Sequence, residues 1–351
     1  MNVVLSLDYE VFFGRGSGRV TETVLEPSDA LARLAQRHGA RLVFFVDACW
    51  LVRMREEARR VTALAADLYR VLRQLERFAA AGHELQLHLH PHWRDAHWAG
   101  DGWRLDLSRF RLHDFAPADI HDIVHEGATV LRSLAGRQPV TAFRAGGWSI
   151  QPFPTLRPAL RAAGILIDST VFAGGLQTEG TQRYDFRRAP RRSFWRFEND
   201  PLVPDPEGGF LEVPIASQSL GPLFFWQLAL ARRLGLRAHR PLGGGEAAPM
   251  PRRELARRLL GSTVSVASID GLKCRRLEAA YQRHWQSGAG DFVAIGHPKA
   301  TTPDSLRQLE RFFAGHRHDH FVGLNDYLVH LGDRPRQARA MAPLLIEPLR
   351  A

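Results

Sequence analysis

The sequence predicts an α/β fold, a distorted (β/α) barrel of about seven to eight mainly parallel strands, and three observations carry that prediction. Short apolar, β-rich runs alternate with longer helix-periodic stretches along most of the 351 residues. The number of such runs is enough to close or nearly close a barrel. Nearly every apolar run also ends in a residue able to do chemistry, as expected where parallel strands present their C-terminal ends on one face.

The elements follow in order. Residues 3–7 form the first strand, and Ser28 stands as the N-cap of a helix over 28–38 that Gly39 stops. Strands are expected at 41–46 and 83–89, with helices at 67–80 and 117–135. Later strands fall at 140–143, 165–167, 210–213, 292–295 and 321–324. Two stretches break the rhythm. Residues 184–216, rich in Arg, Pro and aromatics, read as a β-hairpin excursion turning at Glu207, Gly208 and Gly209; residues 221–262 read as a helical insertion with a Gly- and Pro-rich end. Residues 1–332 are therefore expected to form one domain carrying both insertions, and 333–351 a C-terminal tail.

Composition removes several function classes. With 45% hydrophobic and 24% charged residues the chain has the mix of a globular protein rather than a disordered one. Its two cysteines, Cys49 and Cys274, form neither a disulfide framework nor a Cys-based metal motif, and a reducing compartment suits them. The longest apolar stretch is too short to span a bilayer. The N-terminus has no secretory pattern, so a cytoplasmic location is expected. The net charge of +10 raises nucleic acid as a partner. Nucleic acid is not expected, because Lys273 and Lys299 are the only lysines, the arginines are spread along helical stretches, and no recognition motif accompanies them. Peripheral contact with the inner membrane stays open. In the segment from Leu223 to Arg240, Phe224, Phe225 and Trp226 could face lipid and Arg232, Arg233 and Arg237 the headgroups; packing over the barrel or at a contact between copies is the alternative.

The strand ends carry the chemistry. The first offers Asp8, Tyr9 and Glu10, the second Asp47, the third His88, His90 and His92, then come Arg144, Asp168 and His297. His88 and His92 lie about 13 Å apart on an extended strand and converge on one ion only if the chain turns between them. Pro91 suits such a strand exit. H-x-x-x-H then forms a clamp for one divalent metal with a carboxylate from the first strand, leaving positions for water and substrate; zinc fits best, with cobalt, nickel or manganese also open. His90 can point either way.

Taken together these motifs resemble the polysaccharide deacetylase family, the NodB-homology or carbohydrate esterase family 4 superfamily, in a cytoplasmic-type branch. LSLDYE resembles its first motif, GHELQLHLHPHW its second, AFRAGGW its third, ILIDST its fourth and AIGHPKA its last. The resemblance covers residues 2–331 and implies a metal-dependent N-deacetylase with a NodB-like barrel. It makes Asp8 the general base, Arg144 the group that orients it, and His297 the general acid with Asp168 as partner. Glu10, His88 and His92 become the metal ligands. Gly146 and Gly147 replace the family's Pro and Tyr, leaving the Gly147 N–H for an oxyanion hole, while Trp148 is the candidate surface for a sugar ring. The implied substrate is a carbohydrate or N-acyl amino sugar, either free or linked to a nucleotide or lipid. The alternatives are a sister amide hydrolase, allantoinase-like or deformylating, and an inactive carbohydrate-binding homologue.

Overall fold

The computed structural model describes residues 1–14, 16–246 and 252–332. Its core is a curled sheet of nine strands. In chain order these are β1 (Asn2–Tyr9), β2 (Leu42–Asp47), β3 (Glu84–Leu89), β4 (Ala142–Ala145), β5 (Ile167–Asp168), β6 (Trp195–Phe197), β7 (Phe210–Glu212), β8 (Asp291–Gly296) and β9 (His320–Phe321). They lie in the order β6-β7-β5-β4-β3-β2-β1-β8, with β9 beside the start of β1. Every pairing is parallel except β6 with β7. A parallel sheet must be covered on both faces, and β1, β2 and β3 are buried along their whole lengths apart from Asn2. The edge strands β6 and β8 do not pair, so the barrel stays partly open. Ala216 and Ala267 narrow the gap: the Ala216 N–H donates to Val293 O at 2.9 Å and the Ile295 N–H to Ala267 O at 3.0 Å. The expected barrel is thus a curled, partly open mixed sheet.

Helices α1 (Glu26–Arg37), α2 (Ala48–Ala58), α3 (Thr62–Ala80), α4 (Pro117–Leu134), α5 (Arg157–Ala162), α6 (Pro222–Arg233), α7 (Arg252–Leu260), α8 (Leu277–Gln286) and α9 (Pro303–Gly315) flank it. Two of them correct the sequence expectation. A wide π-helical turn at Thr21–Leu25 runs straight into α1, so Ser28 lies inside the helix with its hydroxyl buried and unpartnered, and caps nothing. Gly39, at φ 65°, does stop it, since that conformation costs a glycine little. Helix α2 was not foreseen because its ACWLVRMREEA sequence has no clean apolar period; Trp50, Leu51 and Met54 bury it.

The proposed excursion at 184–216 is part of the main sheet. Strands β6 and β7 do pair antiparallel, but β7 continues the sheet beside β5. Gly208 is required there: a Cβ would fall 2.3 Å from the Phe197 backbone. The insertion at 221–262 stands on an antiparallel ribbon of Ser217–Leu220 and Thr263–Val266. Its helix α6 packs Phe224 and Phe225 with Leu220 in a small apolar cluster separate from the main core. The tail proposed at 333–351 lies outside the described residues, as do 247–251 of the insertion. Among the described residues no helix is long and apolar enough to cross a membrane.

Candidate metal centre

Strand alternation builds the centre. Side chains two apart on a strand share a face, so Asp8 and Glu10 leave β1 together. Tyr9 between them points the other way, its hydroxyl donating to Gln74 Oε1 of α3 at 2.8 Å. The same rule brings His88 and His90 together at the end of β3. Their Nε2 atoms lie 3.2 and 2.8 Å from Glu10 Oε2. Glu10, His88 and His90 offer ligand atoms that all lie within 4.8 Å of one another, and all three side chains are buried.

His92 does not join them, which corrects the H-x-x-x-H expectation. The chain turns after His90 rather than before it, entering a tight 3-10 turn at Pro91–Asp95. His92 is carried behind the ligands, stacked on Phe110 with ring centroids 5.4 Å apart and edge-on to Phe13 at 4.9 Å. Neither ring nitrogen has a partner, and burial holds its pKa well below the usual histidine range. Asp47 anchors this turn from the end of β2. It accepts hydrogen bonds from the His90 N–H at 3.3 Å and from Trp93 Nε1 at 2.8 Å.

The donor set fits a divalent cation. His88 donates from Nδ1 to Arg144 O at 2.8 Å, which turns Nε2 towards Glu10. Burial opposes charge on His88, yet Asp8 and Glu10 outweigh it and push its pKa up to about 9. For Glu10, burial is outweighed by Lys299 and His90, and its carboxyl sits well below the usual range. Two carboxylates in so enclosed a place call for positive charge. Two imidazole nitrogens and one carboxylate oxygen form a first-row metal donor set.

On one flank stands Asp8. Arg144 donates from Nη1 to Asp8 Oδ1 at 2.6 Å, and is itself held by Ser169 O and Ser6 Oγ, each at 2.8 Å. Its guanidinium lies 4.1 Å from the centre of the Phe45 ring. On the other flank, just beyond β8, His297 Nε2 lies 3.7 Å from Asp8 Oδ2. Its Nδ1 donates to Asp270 Oδ2 at 2.8 Å, and its backbone N–H to Asp270 Oδ1 at 2.7 Å. Burial opposes charge on His297, but Asp270 outweighs it and raises the pKa. The partner expected at Asp168 is therefore Asp270. Asp168 instead accepts from the Thr170 hydroxyl at 2.6 Å and faces Glu212 across β5 and β7.

Two further residues escaped the sequence. Asp270 follows a single bridge, Ser268 to Ile295, too short to read as a strand. Lys299 donates to Glu10 Oε1 at 2.7 Å and Val11 O at 2.8 Å, and lies 4.4 Å over the Phe13 ring. Its rarity was the available signal, one of two lysines in an arginine-dominated chain.

Asp8, Glu10, His88, His90, His297 and Lys299 line a cavity of about 290 Å³ with Phe12, Phe110, Gly147, Trp148 and Gln182. The glycines of the third motif have steric reasons. A Cβ on Gly146 would fall 2.5 Å from Leu89 O and 2.7 Å from His90 Nδ1, and one on Gly147 2.6 Å from Phe110.

Neither a family model nor a curated protein sequence matches this chain. Solved structures resemble it. A candidate polysaccharide deacetylase from Mycobacterium smegmatis is 15% identical with a TM-score of 0.49, over 97% of this chain and 94% of that one. Puue allantoinase is 14% identical with a TM-score of 0.48, over 94% and 89%. A polysaccharide deacetylase from Bacillus cereus is 11% identical with a TM-score of 0.40, over 91% and 90%.

Proposed function

We propose that this chain is a divalent-metal-dependent amide hydrolase that removes an N-acyl group, in the first instance acetyl, from an amino sugar or saccharide. One observation carries the reading: a Glu–His–His cluster is flanked in one pocket by an arginine-held carboxylate and a carboxylate-held imidazole. A divalent ion held by Glu10, His88 and His90, zinc by preference, would supply Lewis acidity and a water of lowered pKa. Asp8, with Oδ1 engaged by Arg144, takes the proton of the attacking water on Oδ2. His297 gives a proton from Nε2 to the departing nitrogen, while Asp270 holds its Nδ1–H. The Gly147 N–H is assigned to the acyl oxygen. Trp148 offers a flat face to a sugar ring beside the polar amide of Gln182. The cavity lies at the small end of the range for ligand sites and suits one sugar unit rather than a long polymer segment. Both cysteines are free and buried, which suits a reducing compartment and hence a cytoplasmic nucleotide-linked or lipid-linked amino sugar.

Metal analysis coupled to a panel of N-acetylated saccharides, nucleotide sugars, N-formyl sugars and ureides tests this. Acetate release that depends on the divalent ion is the expected result. His88→Ala should lose metal and activity together; His297→Ala should keep the metal and lose about 10²–10⁴-fold in rate. Formate or ureido product instead would move the chain to a sister hydrolase, and a metal-loaded protein inert on the whole panel would end the reading.

A further inference from the structure

Helix α6 is apolar on two opposite sides. Phe224, Phe225 and Ala231 are buried. Leu223, Trp226, Leu230 and Leu234 are exposed by 67, 57, 56 and 60%. Their spacing of three, four and four residues sets them in one stripe along the helix. Four large apolar side chains in an open row form a contiguous patch of the kind that marks an interaction surface.

The charge beside the stripe is also distinctive. Arg232, Arg233, Arg237 and Arg240 are exposed at the end of α6 and in the segment after it. None of the four forms an ion pair among the described residues. Elsewhere on the surface arginines do pair, Arg77 with Asp29, Arg94 with Glu126 and Arg161 with Glu198. From residue 222 to 240 the chain contains no Asp or Glu.

We propose that this face docks on the surface of an anionic lipid bilayer. Leu223, Trp226, Leu230 and Leu234 enter the acyl boundary, and the four arginines meet headgroup phosphates. A helix of 12 residues is too short to span and lies in the plane of the interface. Charge selects this occupant over a second copy of the chain. Two-fold pairing through the stripe would bring the same unpaired arginines together, and residues 222–240 hold no acid to meet them, whereas phosphates supply the missing counter-charge.

The docking face is tied to the mouth of the pocket. Beyond α6 the chain returns to the rim, where the Leu242 N–H donates to Thr301 O at 3.0 Å and the Glu246 N–H to Gly16 O at 3.0 Å. Gly245 packs directly on Phe12, which lines the cavity. The proposal goes beyond the hydrolase reading and stands without it.

Flotation of the full chain with phosphatidylcholine vesicles, with and without phosphatidylglycerol, tests the docking. The wild type should float with the anionic vesicles, less so as salt is raised, and stay behind with the neutral ones. Leu223→Ser/Leu230→Ser/Leu234→Ser and, separately, Arg232→Ser/Arg233→Ser/Arg237→Ser should each weaken binding at least about tenfold. The arginine variant leaves every apolar contact in place and carries the test if the leucine variant fails to fold. A wild type that does not float, or variants that float as well as it does, overturns the proposal. So does sedimentation showing a wild-type dimer that the leucine variant dissolves, in the absence of vesicle binding; the face would then belong to a second copy.

Discussion

Two groups of buried carboxyls sit at the same end of the sheet, and the chain treats them in opposite ways. Asp8 and Glu10 are ringed by positive or proton-bearing partners: Arg144 on Asp8, and Lys299, His88 and His90 on Glu10. Asp168 and Glu212 face each other in register, with a hydroxyl and backbone N–H groups as their nearest donors. Burial raises the pKa of Asp168, and burial with the neighbouring Asp168 charge lifts Glu212 well above the carboxylate range. Burial thus favours a proton on the second pair, whereas Lys299 and His90 keep Glu10 in the first charged. An acid at a strand end becomes a reactive site only where counter-charge has been built around it; without that it protonates and turns structural.

The largest expected effect comes from stripping the first group of its support. Arg144→Met strips Asp8 of its hydrogen-bonded cation, leaving only the His88 and His297 rings at 3.9 and 3.7 Å, and should cost about 3–5 kcal/mol. Urea denaturation of the metal-free protein measures it. Adding Asp8→Asn to that variant should recover part of the loss, because the orphaned charge goes with it. A cost under about 1 kcal/mol for Arg144→Met alone would mean that the buried Arg144–Asp8 pair does not hold this flank together.

How far the centre could be read from sequence follows from the same strand rule. Period two places Asp8 with Glu10 and turns Tyr9 away, and both acids are where the first motif puts them. Applied to β3 it would have paired His88 with His90. The choice of His92 needed the turn at Pro91 to bring that ring back onto the ion; the turn is there, but it packs His92 between Phe13 and Phe110 instead. Strand positions were legible because β1 and β2 are largely apolar buried runs and β3 sets Leu85, Leu87 and Leu89 at alternate positions. Asp270 was not, since its support is one isolated bridge. Asp168 shows the opposite failure: its place at a strand end was right and its role was not, because the sequence does not reveal which acids have cations beside them.

Asp270→Asn probes the flank that the sequence missed. If His297 works as a proton donor, it acts only below its own pKa, and Asp270 raises that pKa. Removing the charge should move the alkaline limb of the kcat/KM profile to lower pH. The rate loss should be smaller than the about 10²–10⁴-fold that the proton transfer itself is worth. An unmoved limb would detach Asp270 from catalysis and leave it a purely structural partner of the His297 backbone. Asp168→Asn should leave that limb where it is, since Asp168 does not touch His297.

The smallest effect belongs to the second acid pair. Glu212 binds a proton in the folded state at pH values where an unfolded glutamate has lost it, so its contribution is full below about 4.5 and fades as pH rises towards the folded value. Glutamine keeps the shape and gives Glu212 Oε2, which has no donor, a replacement N–H to offer Asp168. Glu212→Gln should therefore stay within about 1 kcal/mol of the wild type near pH 5. Its relative stability should improve as pH is raised to 8, because the amide has no proton to surrender. Thermal melts of both proteins across that range measure the trend, and metal content should not change. A variant that instead loses stability steadily with rising pH would show that Glu212 is ionised in the fold, and the contrast between the two carboxyl groups would fail.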